Sequence, residues 1–361
     1  MIIHNVTVLT EGKERIEPQR DFGRVDQAKR LEIRRAEIVE RWTIEKKLGE
    51  GGFGAVYRCR DATGQYALKV EGVAEQIQVL KMEVYVLTEL TKRGSRHFCK
   101  IEDKGRYGNF NYVVMTLVGK SLQDLNKGGP GGHMTIGCAI SCGIQCLEAL
   151  EDLHNIGYLH RDVKPGNYTI GRAELNELRK VYILDFGMCR KFTNDQGIIR
   201  KPRQAAGFRG TVRYAPISCH LQRELCRKDD CETWVYMLVE FTYGRLPWKE
   251  VQDMNQVGEY KKRVRQPMYI MELFPPPCPR EYIEALQYID GLKYYDAPNY
   301  QLIYGVCFLY TVFSWPLSCV IIVINSHVPT IQIMRRALAS CRAQEFPYDW
   351  EMGGPTAYML A

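Results

Sequence analysis

The chain has 361 residues, 45% hydrophobic and 25% charged, the composition of a folded globular protein, which excludes a fibrous or wholly disordered one. Its formal charge of +7 is spread without an aromatic-basic cluster, so it suits polyanionic ligands and excludes nucleic acid as the expected partner. The length implies about two domains, and thirteen cysteines without paired short spacings read as reduced thiols of a cytoplasmic or nuclear protein.

In chain order, residues 1–40 are a charged extension, and Met1 to Asn5 begins no secretory signal, so Asn5-Val6-Thr7 is read as a chance sequon. Between Gln27 and Trp42, mixed charges surround Leu31, Ile38 and Val39, which predicts a surface helix or flexible arm. From about Arg41, Gly49-Glu50-Gly51-Gly52-Phe53-Gly54-Ala55-Val56 follows the pattern in which glycines let backbone N–H groups approach phosphates. The sequel separates it from a dinucleotide site. Val56–Arg60 and Gln65–Val70 read as strands around an Asp61–Gly64 turn, where a dinucleotide fold requires a helix.

Ile77, Leu80, Val84 and Leu87 then recur at helical spacing, and Tyr112–Gly119 is an apolar strand ending in glycine. Gly128–Gly132 predicts a loop, and a helix is expected from about Thr135 to His154. Cys138, Cys142 and Cys146 share one face of that helix. A metal site there would need a further ligand, so small core thiols are the default.

The stretch His160-Arg161-Asp162-Val163-Lys164-Pro165-Gly166-Asn167 sets an acid, a cation and an amide at short fixed offsets, and Asp185-Phe186-Gly187 follows an apolar run. Asp162 can accept a hydroxyl proton and Lys164 can neutralise a phosphoryl oxygen. Asn167 with Asp185 offers oxygen ligands to a hard divalent cation. Asp21-Phe22-Gly23 repeats the tripeptide by letter, but it precedes every other element and follows no apolar strand, so it is set aside.

These motifs, with Phe208–Ala215, Asp229-Asp230 and Leu246-Pro247-Trp248, resemble the casein kinase I superfamily of protein kinases, nearest its tau-tubulin kinase branch, from about Arg41 to Pro267 with a fainter trace to Pro347–Trp350. The resemblance implies an α+β bilobal kinase: a small antiparallel lobe over 41–117, a mainly helical large lobe over 118–350 and a tail over 351–361. It implies ATP and Mg2+ as cofactors, protein substrates that include acidic, pre-phosphorylated or cytoskeletal ones, and a monomer away from membranes. Asp162 would take the hydroxyl proton, Lys164 would steady the phosphoryl, Thr211 would contact both, and Asn167 and Asp185 would hold the metal. Lys69 would reach the phosphates, aimed by Glu83. At about 4 Å such a pair attracts by roughly 4 kcal/mol at an effective dielectric of 20, before desolvation.

Gly49, Gly51, Gly52, Gly54, Val56 and Ala67 would surround the nucleotide, with Met115, Thr116 and Val118 at the adenine. Asp230 would brace the catalytic-loop backbone. Lys164, two residues after the catalytic aspartate, points to Ser/Thr acceptors. Ala215-Pro216 is followed by Ile217 where most kinases carry glutamate, as in the casein kinase I group, where activating phosphorylation is generally not required. Arg209, Arg213 and Lys261, with Lys262, Arg263 and Arg265, suggest an anion pocket for substrate; a solvated helix face is the plain alternative for the second cluster.

From Ala297 to Met334 there is no Asp, Glu, Lys or Arg, and the run from Gly305 is long enough for a membrane span. Pro316 interrupts it, and the flanking charges (Arg280 and Lys293; Arg335, Arg336 and Arg342) would put the rest on the side away from ATP. Joining Tyr304 to Gln332 places Tyr300, Ile303, Tyr304, Met334, Leu338 and Cys341 on one helical face. Residues 305–331 are therefore read as an insertion, such as mis-spliced sequence, with a membrane span or a buried helix as alternatives. The rival to an enzyme is a pseudokinase scaffold whose large lobe that insertion compromises.

Overall fold

The structure, a computed structural model, describes residues 33–51, 54–75, 78–303 and 333–360. The decoy tripeptide at 21–23, Gly52, Ile77 and the apolar run 305–331 lie outside the described residues.

The small lobe is one antiparallel sheet of six strands in the order β1-β2-β3-β4-β6-β5. Its strands are β1 (Ile38–Val39), β2 (Trp42–Gly51), β3 (Gly54–Arg60), β4 (Gln65–Gly72), β5 (Ile101–Tyr107) and β6 (Phe110–Thr116). On β3 the two-residue period buries Ala55, Tyr57 and Cys59 behind the sheet and turns Val56 and Arg58 to its other face. Register then sets Val56 opposite Lys69 and Ala67 opposite Met115. The hairpin turn is held by Asp61, whose Oδ1 accepts from Thr63 N at 2.8 Å and Thr63 Oγ1 at 2.6 Å.

The lobe starts earlier than expected. Ile33 is buried, and Val39, fully buried on β1, pairs with Trp42 on β2. Residues 38–42 are thus a small hairpin, not part of an arm or helix, because Ile33 and Val39 complete the apolar layer behind the sheet.

Helix α1 (Leu80–Lys92) lies against the sheet's inner face, burying Leu80, Glu83, Val86, Leu87 and Leu90, while Val84 is only half-buried. Its first N–H groups have no side-chain cap of their own. Glu71 of β4 supplies the acceptor, its Oε1 taking Val79 N at 2.6 Å and Leu80 N at 3.2 Å.

The large lobe is built on α3 (Ile136–Asn155) and α5 (Arg227–Tyr243), both buried almost all round, packed beside α2 (Leu122–Gly128) and the strands β7 (Tyr158–Leu159), β8 (Tyr168–Ile170), β9 (Val181–Ile183) and β10 (Arg190–Lys191). The loop expected at 128–132 is present as a tight turn at Pro130–Gly132, with Gly131 and Gly132 at positive φ. Gly143 lets α5 approach α3: a Cβ there would lie 2.6 Å from Leu238, and Trp234 Nε1 donates to its carbonyl at 2.8 Å. Cys138, Cys142 and Cys146 are buried core thiols. Helices α4 (Ile217–His220), α6 (Met254–Arg263), α7 (Ile270–Leu273), α8 (Glu281–Gly291), α9 (Tyr300–Ile303) and α10 (Ile333–Ser340) complete the lobe, with α9 and α10 packed on each other and on α3. Among the described residues no helix is long and apolar enough to cross a membrane.

The C-terminal segment is part of this body. Asp349 accepts from Thr135 N at 2.7 Å and Thr135 Oγ1 at 2.6 Å, at the cap of α3, and Trp350 Nε1 donates to Leu178 O at 2.9 Å. Asp349→Ala removes the buried carboxylate that receives both donors of Thr135, an exposed residue at the cap of α3. We expect it to lower unfolding stability by roughly 1–2 kcal/mol, read by urea denaturation; a loss below about 0.5 kcal/mol would remove the segment's structural role.

Candidate active site

The catalytic loop between β7 and β8 is positioned from below. Asp230, buried in the first turn of α5, accepts from His160 N at 2.8 Å, Arg161 N at 2.9 Å and His154 Nε2 at 2.8 Å. Burial works against its charge, but His154 and His160 outweigh that and hold its carboxyl below the usual range. Arg161 takes a left-handed backbone, φ +67°. The next residue, Asp162, is buried and turned toward the cleft.

Three donors hold the Asp162 side chain. Lys164 Nζ reaches its Oδ2 at 2.5 Å, Thr211 Oγ1 its Oδ1 at 2.8 Å and Asn167 Nδ2 its Oδ2 at 3.4 Å. Lys164 also donates to Thr211 at 3.2 Å, and Asn167 to the Asp162 carbonyl at 2.8 Å. Gly210, at φ +97°, permits Thr211 to come so close: a Cβ there would lie 2.6 Å from the Arg161 carbonyl.

From the other lobe, Lys69 on β4 meets Glu83 of α1 at 2.6 Å and Asp185 at 3.8 Å. Burial pulls the ammonium's pKa down, yet the two carboxylates outweigh it and leave it raised, so Lys69 is a fixed cation. Phe186 is buried against Phe98 and His160, with ring centroids 5.9 and 5.8 Å away, which turns Asp185 into the cleft. The Asp185 carboxylate is half exposed and makes no hydrogen bond among the described residues. One open carboxylate beside the Asn167 amide is a donor set that fits a hard divalent cation such as Mg2+.

These groups line one cavity of about 1200 Å³, with Gly49, Gly51, Gly54, Val56, Ala67, Met115, Thr116 and Val118 on its walls. Gly54 is required by packing: at φ +149°, a Cβ would lie 1.8 Å from Val70 O. At Gly49 and Gly51, which line the cavity, a Cβ would meet nothing within 4 Å among the described residues. Its floor includes Thr169, whose buried hydroxyl has no hydrogen-bond partner among the described residues. Thr116 lines the cavity, but its N–H donates to Lys100 O at 3.0 Å, continuing the sheet, so that group is committed. Val118 has no backbone partner among the described residues and is the better-placed contact.

The expected anion cluster is not brought together. Lys261 is fully buried, and its Nζ donates to Val212 O at 2.9 Å, Ala215 O at 2.6 Å and His220 Nε2 at 3.2 Å, holding the segment after Thr211 from beneath. Lys262 pairs with Glu259, Arg263 with Glu272, and Arg265 with Glu232 and Asp290. Arg213 is half-buried beside Glu240 at 3.3 Å, and only Arg209 remains exposed with no acidic partner among the described residues. Periodicity missed Lys261 because three consecutive basic residues look alike until the fold assigns their faces. Glu71 and Asp349 were missed because their partners are remote or belong to another element.

Burial lowers the Lys261 pKa from 10.5 to about 7, and Arg265 adds to that. Between those values the unfolded chain binds the extra proton, so this residue's contribution to stability rises as pH increases from about 7 toward 10.5. We expect wild type to gain stability relative to Lys261→Met between about pH 7 and about pH 9 in denaturant titrations; parallel profiles would contradict it.

Residues 42–292 match the protein kinase domain family. A Dictyostelium discoideum protein named as a probable serine/threonine-protein kinase is 38% identical over 267 residues, 73% of this chain and 52% of that protein, so the chain spans about half of that relative's length. The Caenorhabditis elegans serine/threonine-protein kinase spe-6 is 37% identical over 72% of this chain and 69% of its own. Another C. elegans protein, carrying a casein kinase I name, is 31% identical over 66% of this chain and 70% of its own. With its matched region covering well over half of its length and this fold around it, the chain belongs to the protein kinase domain family.

Proposed function

We propose that the chain is a serine/threonine protein kinase of the casein kinase I and tau-tubulin kinase type, transferring the γ-phosphoryl group of ATP to protein hydroxyls. The observation that carries this reading is the convergence of Lys69, Asp162, Lys164, Asn167 and Asp185 on one cavity. Phosphoryl transfer needs little covalent help from a protein beyond positioning and charge stabilisation.

Lys69 binds and aligns phosphate oxygens, and the backbone around Gly49 and Gly51 gives the triphosphate room. Mg2+, held by Asn167 and Asp185, would neutralise charge between phosphates. Asp162 accepts the substrate hydroxyl's proton, with Thr211 and Lys164 fixing its carboxylate, and Lys164 also stands where negative charge develops. For substrate preference, Arg209 and Arg213 remain the candidates for an acidic or phosphorylated residue, without Lys261. The casein kinase I name of one relative supports the branch, as does Ile217 in place of the usual glutamate.

The segment after Asp185 has an internal anion. Glu224, nearly buried, pairs with Arg190 at 3.0 Å and with Arg203, which joins both ends of the segment to the chain before α5. Elsewhere a phosphorylated side chain gathers arginines in this way. This supports activity without an upstream kinase.

The deciding assay supplies radiolabelled ATP, Mg2+ and casein or tubulin. Asp162→Asn should lower turnover by at least about a hundredfold with the fold intact. Equal rates would remove the assigned base, and no transfer by wild type that still binds ATP would favour a pseudokinase. Glu224→Gln should lower turnover by about tenfold, while phosphatase treatment of wild type leaves its rate unchanged. A rate that collapses after phosphatase treatment would overturn the internal-anion reading.

A further inference from the structure

The cavity is larger than the roughly 300–1000 Å³ typical of a small-molecule site, and its extra length runs past β6 along Gly119, Lys120 and Ser121. Two residues lining it come from the far end of the chain: Met359 and Leu360. They are seated by specific contacts. Tyr358 Oη donates to Gly128 O at 3.0 Å, and Met359 lies on Gly128 itself, where a Cβ would come 2.1 Å from its sulfur. The turn that carries them, Ala357–Met359, is tied back through Thr356 N donating to Asp349 O at 2.8 Å, and Asp349 is fixed on the cap of α3. An apolar pair with half-buried side chains thus forms part of the cavity's lining.

We propose that the segment Ala357–Leu360 is part of the nucleotide-binding site, with Met359 and Leu360 forming the apolar wall against the base and ribose edge of a purine nucleotide. The inference rests on the kinase reading of the cavity. Nucleotide affinity then depends on docking of the C-terminal segment, although none of its residues belongs to the catalytic loop or the glycine-rich strand. The pair lines the same cavity as Leu117, Val118 and Gly119, so a base placed against it would take further apolar surface out of water.

The test is equilibrium titration of the full chain with a fluorescent ADP and with unlabelled Mg-ATP in competition, comparing wild type, the double variant Met359→Ala/Leu360→Ala, and Gly128→Ala. The last displaces Met359 from its seat by one methyl group at the end of a helix that tolerates alanine well. The double variant should weaken nucleotide binding by about fivefold to tenfold, and Gly128→Ala should weaken it less. Turnover at saturating ATP should stay within about twofold, with the loss appearing in KM. Wild type that binds no nucleotide would refute the kinase reading. Wild type that binds, with both variants binding equally well or more tightly, would overturn only the wall, tighter binding meaning that the segment obstructs the site.

Discussion

The buried carboxylate of Asp230 is the point from which the site is built. It sits in the first turn of α5, where unpaired N–H groups favour an anion, and faces His154 in the last turn of α3. The two longest helices among the described residues thus meet directly beneath the catalytic loop. Asp230 uses both oxygens on the backbone of His160 and Arg161, which offsets the cost of the left-handed turn at Arg161. That turn brings Asp162 upward. Tyr300 at the start of α9 hydrogen-bonds the other nitrogen of His154, so the late helices are coupled to the same charge.

A second device replaces the ion pair that Ile217 lacks the side chain to make. The Ile217 N–H donates to Glu232 at 3.0 Å; Glu232 is bonded to Tyr236 and paired with Arg265 at 2.9 Å. Two residues earlier, Lys261 grips the Ala215 carbonyl, and beyond it that of Val212. The chain between Thr211 and Ile217 is therefore held through its backbone, by a lysine and a glutamate from helices below, while Arg213 and Tyr214 are tied to Glu240. A buried lysine carries a desolvation cost that an outward-facing pair would avoid. Here it also satisfies two carbonyls in a bend that has no regular partner.

Much of the site was legible because its parts are short-range. Asp162, Lys164 and Asn167 occupy one loop, so their offsets survive any error in the fold around them, and Asp185 follows an apolar strand that had to be buried. Lys69 and Glu83 came from a strand and a helix with clear periodicities. Legibility ended where a residue's meaning is its partner: Lys261 against two carbonyls, Glu71 capping α1, Thr116 held to Lys100, and Ile38-Val39 recruited into a strand by Trp42. The C-terminal residues offered only Pro347–Trp350 as a trace, since packing on Thr135 and Leu178 leaves no periodic signature.

The apolar run is where sequence and burial meet most directly. If Tyr304 is joined to Gln332, the residues buried on α9 and α10, namely Tyr300, Ile303, Ile333, Met334, Ala337 and Leu338, fall on a single stripe spaced by three and four. Two unrelated helices would match in phase only by chance, and here both bury that stripe in the same core, with α9 and α10 each packed against α3. Burial of the flanks thus follows the period of one helix. That shared phase is what an insertion into one helix would leave in its flanks, both of which pack into the core of α3, α5 and α8.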